Sequence, residues 1–147
     1  MKRGTLVSFL NRLQPIALLA LRLSLGIIFV YHGYPKLVRS NPAMQQFFIE
    51  HNLPGYFVAL AGVLETFGGI LFFVGLFTRP VALLLATEMA IAIWKVKGVH
   101  GALVVKDYEF EMILCTACIA LAAVGAGVIS LDHVVLRERP KKRRPSD

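Results

Sequence analysis

Residues 55–77 read GYFVALAGVLETFGGILFFVGLF, and Glu65 is the one charged residue among them. A helix rises 1.5 Å per residue and crosses a bilayer in about 20 mostly apolar residues, so this stretch has the length and composition of a span. Three further stretches come near the same standard, at about 15–34, 80–96 and 111–131. The expected fold is therefore an all-α integral membrane protein, a four-transmembrane-helix bundle with short interfacial helices. It forms a single domain over 1–133, followed by a basic tail, 134–147, expected to be disordered. Pro15 and Pro80 stand at the first positions of their spans, where a missing N–H costs nothing. The span at 80–96 is short and meets Lys95 and Lys97, whose side chains are expected to reach the interface.

The whole composition agrees. Of 147 residues, 56% are apolar and 17% charged, against about 25% charged in an average soluble domain. A small soluble domain buries only about two-thirds of the surface its unfolded chain exposes, which leaves too much apolar surface in water. This argues against soluble enzymes. Two cysteines make no disulfide framework. The apolar run after Lys2 and Arg3 is about 20 residues long and contains Arg22, unlike the roughly 7–15-residue core of a cleaved signal.

The net charge is +7, but Arg137, Arg139, Lys141, Lys142, Arg143 and Arg144 all lie in the tail. A basic run beside a membrane segment attracts anionic headgroups, whereas nucleic-acid readout needs a folded module to present it. Membrane lipid is thus an expected partner and nucleic acid is not. With four spans, the termini and the 78–80 turn share one face and carry ten Lys and Arg. The other face carries five: Lys36, Arg39, Lys95, Lys97 and Lys106. The positive-inside rule then puts both termini in the cytoplasm.

Two shorter segments are less decided. Leu6, Leu10 and Leu13 recur at helical spacing, consistent either with an amphipathic surface helix over 3–14 or with a frayed end. Asn41-Pro42 reads as a helix start, Met44, Phe47 and Phe48 share a side, and Leu53-Pro54-Gly55 ends the segment. It is either a re-entrant cap on the bundle or a simple loop helix.

Arg22, Glu65 and Glu88 lie inside spans, at about 2.5–3.5 kcal/mol each if they faced lipid, so they are expected to face the bundle interior. Counted from the cytoplasmic ends, Arg22 and Glu88 stand roughly 10 and 12 Å deep and Glu65 roughly 18 Å. Arg22 is expected to pair with one of the two glutamates. Ala61, Glu65 and Gly69 form one stripe that admits a close neighbour, and Arg22 shares a face with Gly26, Phe29 and Gly33. The charges are either a clamp between helices or the lining of a polar pocket. His32 lies within its span and carries an imidazole, a side chain suited to proton transfer, and Lys36 follows it at the outer end beside Lys95, Lys97, His100, Asp107, Glu109 and Glu111. Four scattered histidines give no metal site. Cys115 and Cys118 form a C-x-x-C inside the last span, on the face of Glu111, Ala122 and Gly125, and serve either as small packing residues or as a redox pair.

Together these motifs resemble the DoxX family of small bacterial membrane proteins over nearly all of residues 20–133. The carriers are Arg22-Leu-Ser-Leu-Gly26, His32-Gly-x-x-Lys36, Glu65-Thr-Phe-Gly68-Gly69, Gly75-Leu-Phe-Thr78-Arg79, Gly125-Ala-Gly127 and Ser130-Leu-Asp132. The resemblance implies a four-helix bundle in the inner membrane of a bacterial cell with quinone-, thiol- or sulfur-linked redox associations, and it draws attention to Arg22, His32, Lys36 and Glu65. It does not extend to the cysteine pair or the basic tail. The expected function is a membrane redox subunit, working as a homo-oligomer or with a redox partner. It would bind a small molecule such as a quinone in a pocket lined by Arg22, His32, Lys36, Glu65 and Glu88. A small transporter, or an assembly subunit without chemistry, is the alternative.

Overall fold

The computed structural model describes residues 3–39, 42–97 and 105–135, without the side chains of 3–8, 96 and 97. All regular structure among them is helical: α1 (Arg3–Val38), α2 (Pro42–Glu50), α3 (Phe57–Val74), α4 (Thr78–Ile91), α5 (Val105–Val124) and α6 (Leu131–Val135). A π-helical turn, Ala92–Lys97, continues α4. Among the described residues, the stretches Phe9–Val38 and Phe57–Val74 are each long and apolar enough to cross a membrane. α4 has 14 residues before its π turn, and α5 opens with Lys106, Asp107, Glu109 and Glu111. Lys2, Asn41, His100 and the tail from 136 onward lie outside the described residues.

Pro15 does not begin a helix. α1 is continuous for 36 residues with Pro15 and Pro35 inside it, so the segment 3–14 is neither a separate surface helix nor a frayed end. Pro80 lies in the first turn of α4, two residues after its start at Thr78, where backbone N–H groups lack intrahelical acceptors in any case. α2 is the predicted short helix.

Four helices associate as two pairs, α1 with α3 and α4 with α5. Glycines set the first pairing. A Cβ on Gly26 would come 2.9 Å from Gly69 O, and one on Gly33 would come 2.6 Å from both Glu65 Cβ and Thr66 N. A Cβ on Gly62 would come 2.8 Å from Leu37 N. Between apolar surroundings on either side, close backbone approach and dispersion hold such helices together. The sequence stripe had Ala61 in this seam; Gly62 occupies it instead, and Ala61 turns toward the space between the pairs.

The two pairs meet through Leu25, Phe29, Phe72, Val81, Leu85, Cys118 and Leu121, all buried. That contact lies toward the α3–α4 turn. Farther from the turn the pairs part, and the gap between them becomes a cavity.

Candidate functional site

The register of α1 against α3 decides which charges meet. With Gly33 against Thr66, Lys36 stands one turn farther on. Helical side chains lean toward their own N-terminus, so Lys36 leans back over Glu65. Lys36 Nζ lies 2.7 Å from both Glu65 oxygens. Glu65 is 3% exposed and the Lys36 side chain 21%, so the pair is held largely away from solvent.

The same register carries Arg22, below Gly26, to the other end of the bundle. Its Nε donates to Phe72 O at 3.2 Å, and its Nη1 to Ala126 O at 2.6 Å and Ile129 O at 2.8 Å. Phe72 is in the last turn of α3, where carbonyls have lost their intrahelical partners and the helix dipole favours a cation. Hydrogen bonds to a charged group contribute about 1.5–3 kcal/mol each, so three exceed the roughly 2.5–3.5 kcal/mol of inserting an arginine. The expected pairing of Arg22 with Glu88 or Glu65 is therefore not found. A depth counted from Pro15 misplaces Arg22, because α1 runs from Arg3 through Pro15 without a break.

Gly75 makes room for this knot. It caps α3 in the left-handed region, φ 66°, and a Cβ there would come 2.8 Å from the Arg22 guanidinium carbon. Asp132 completes the knot by accepting the backbone N–H groups of Phe77 (2.7 Å) and Thr78 (2.9 Å) at the start of α4. Asp132 thus caps a helix more than fifty residues earlier in the chain. Phe77, a non-glycine residue at φ 51°, is fixed by that contact. Arg79 returns the arrangement by donating to Val124 O, the last residue of α5, at 3.4 Å.

The cavity between the pairs has a volume of about 380 Å³. Of the five residues nominated as a binding site, His32, Lys36, Glu65 and Glu88 line it and Arg22 does not. Fourteen residues of α1, or about 21 Å, separate Arg22 from Lys36. One oxygen of Glu88 is buried without a hydrogen-bond partner, and Glu88 interacts electrostatically with Glu65 and Lys36. Thr87 bonds its hydroxyl to Leu83 O of its own helix at 2.8 Å. The remaining lining is mainly apolar: Phe29, Leu64 and Leu114 deep in the space, with Phe48 and Leu53, from α2 and the turn after it, against it as well. The His32 and Phe110 rings meet at 5.6 Å, tilted by 53°, and bridge α1 and α5.

Neither Cys115 nor Cys118 lines the cavity. Both are free thiols, Cys118 fully buried in the core and Cys115 directed at Ala86 O at 3.4 Å. The sequence had pointed to the charges but not to their partners. Asp132 as a remote cap and α2 as a wall were missed; an aspartate beside the Gly-rich 125–127 turn was the available signal for the first.

A family model for DoxX matches residues 17–98. A Bacillus subtilis (strain 168) protein named "Putative oxidoreductase CatD" is 34% identical over 128 residues, covering 87% of this chain and 93% of its own. An Escherichia coli (strain K12) protein named "Inner membrane protein YphA" is 28% identical over 127 residues, covering 82% and 91%. A Haemophilus influenzae protein is 29% identical over 128 residues. No solved structure matches the chain significantly.

Proposed function

The chain belongs to the DoxX family of membrane proteins, and from that premise we propose that it binds the head of a quinone in the cavity between its two helix pairs, as the membrane subunit of a redox complex. The observation that carries this reading is the buried Glu88 oxygen without a partner, set beside the Lys36–Glu65 pair in an otherwise apolar space. A buried polar atom left unsatisfied costs about 1–3 kcal/mol, which a hydrogen-bonding ligand would recover.

A quinone offers two carbonyl oxygens on a flat apolar ring. Lys36 has an N–H to spare beyond its two bonds to Glu65, and His32 is part of the cavity lining. Protonated Glu88 would donate to a carbonyl oxygen. Reduction to the quinol takes up two electrons and two protons. The electrons come from a partner carrying its own cofactor, and Glu88 and His32 pass the protons. The relative named as an oxidoreductase supports redox work, and the relative named as an inner membrane protein supports that location. The four-span topology with both termini cytoplasmic belongs to the same proposal, as does assembly with a redox partner or further copies of the chain.

The test is quinone-analogue binding to the purified protein in lipid nanodiscs. Saturable binding to the wild type, weakened tenfold or more by Glu88→Gln and by Lys36→Met at equal folded fraction, is the expected result. Equal binding by all three proteins, or none by any, returns the charges to a purely structural role.

A further inference from the structure

The walls of the cavity differ in a way that bears on how anything reaches it. Phe48 and Leu53 stand over one end. On the α1–α5 side, the His32 and Phe110 rings meet and bridge the two helices. Among the described residues, no ring contact bridges the α3–α4 side. Those helices are packed together near their shared turn, where a Cβ on Gly68 would come 3.1 Å from Leu85 and 3.3 Å from Val81. Away from the turn they separate.

The residues at that separation both line the cavity and face outward. Leu60 on α3 is 56% exposed, Leu84 on α4 is 55% and Ile91 is 41%. Thr87, between Leu84 and Ile91 in sequence, has its hydroxyl satisfied by Leu83 O and adds no free donor to the rim. The opening is therefore apolar. It lies on the flank of α3, a helix apolar enough to cross a membrane, so acyl chains rather than water would meet it. A water-soluble ligand would have to shed its hydration in lipid before entering. A lipid-dissolved ligand would not.

We propose that the occupant is a lipid-tailed molecule that enters head first from the bilayer through the gap between α3 and α4. Its polar head reaches Glu88 and Lys36, and its tail stays in the gap among Leu60, Leu84 and Ile91. A volume of about 380 Å³ holds a ring-sized head and a few carbons. A long tail must leave by an opening, and this one is rimmed by Leu60, Leu84 and Ile91 with the Thr87 hydroxyl already bonded. The inference rests on the cavity being a ligand site and not on the head being a quinone.

The route is tested without any quinone. Ala61→Cys and, separately, Ala92→Cys place a thiol on the α3 and α4 sides of the cavity. Each is treated in proteoliposomes with N-decylmaleimide, which dissolves in the bilayer, and with a permanently charged thiosulfonate supplied on both faces. Peptide mapping separates these thiols from Cys115 and Cys118. The decyl reagent should modify both positions at least tenfold faster than the charged one, each rate taken relative to small-thiol controls. Leu84→Trp should slow the decyl reagent fivefold or more, and Val63→Trp, on the same lipid-facing surface but outside the cavity lining, should leave it unchanged. Equal or faster modification by the charged reagent, no effect of Leu84→Trp, or no modification by either reagent at either position would overturn the route. Failure of quinone binding alone would leave it standing.

Discussion

Lys36 Nζ sits 2.7 Å from both carboxylate oxygens of Glu65, across the crossing where a Cβ on Gly33 would already collide with the Glu65 side chain. The tight helix contact and the ion pair are one feature, because only a close crossing brings a lysine on α1 back onto a carboxylate of α3. Removing one partner of a buried pair typically costs about 3–5 kcal/mol. Lys36→Met should destabilise the protein toward the lower end of that range, since the Lys36 side chain keeps 21% exposure. Adding Glu65→Gln should recover part of the loss. Thermal unfolding of the two variants in one detergent checks this.

Arg22 acts elsewhere and independently. Arg22→Ala removes the side-chain donor from the carbonyls of Ala126 and Ile129 and from Phe72 O, which keeps only the Gly75 N–H, and a loss of about 3 kcal/mol is expected. Groups that share no partner and lie more than about 7–10 Å apart add within roughly 0.5 kcal/mol. The double variant Arg22→Ala/Glu88→Gln should therefore show the sum of the single losses. A coupling energy above about 1 kcal/mol would mean that the two charges interact after all.

Asp132→Ala should remove the cap that orders Phe77 and Thr78 at the start of α4. Loss of an N-cap costs about 0.5–2 kcal/mol, and two charge-assisted bonds from one carboxylate put this case at the upper end. Hydrogen exchange should rise first at residues 76–80, ahead of α3 and the first turns of α5. Unchanged exchange there would show that the cap is dispensable.

Gly33→Ala and Gly55→Ala make a matched pair. A Cβ on Gly33 would come 2.6 Å from Thr66 N, a backbone atom that cannot swing aside, whereas the nearest atom to one on Gly55 is 3.5 Å away. Overpacking costs about 1–3 kcal/mol, and Gly33→Ala should reach or pass the top of that range while Gly55→Ala stays near wild type. Gly33→Ala should also weaken the Lys36–Glu65 contact by forcing α1 and α3 apart. Melting of the two purified variants side by side measures the difference.

Period and composition made the helices legible, because an apolar stretch of span length has few other folds open to it. Gly26, Gly33 and Gly69 were legible as an interface for the same reason: small residues at helical spacing beside a charge invite a neighbour. The pairings were not. Whether Arg22 meets Glu88 or a row of carbonyls depends on how far α1 slides along α3, and that register is set by backbone contacts that the sequence does not display. Pro15 misled by suggesting a start where the helix runs on. Asp132 was legible only as part of a motif, because its role as the α4 cap depends on a segment that folds back more than fifty residues later. Lys36 was legible as a pocket residue, but its pairing with Glu65 follows only from the Gly33 crossing.

The central claim is that the space beside Glu88 receives a quinone head, and photolabelling tests it most directly. An azidoquinone illuminated with the protein in nanodiscs should attach to peptides spanning 57–65 and 84–92, with labelling that saturates and is displaced by unlabelled analogue. Glu88→Gln should reduce that labelling at least tenfold without shifting the melting temperature by more than a few degrees. Labelling that is non-saturable, or that falls on outward residues such as Ile27, Phe67 and Ile119 instead, would contradict the account.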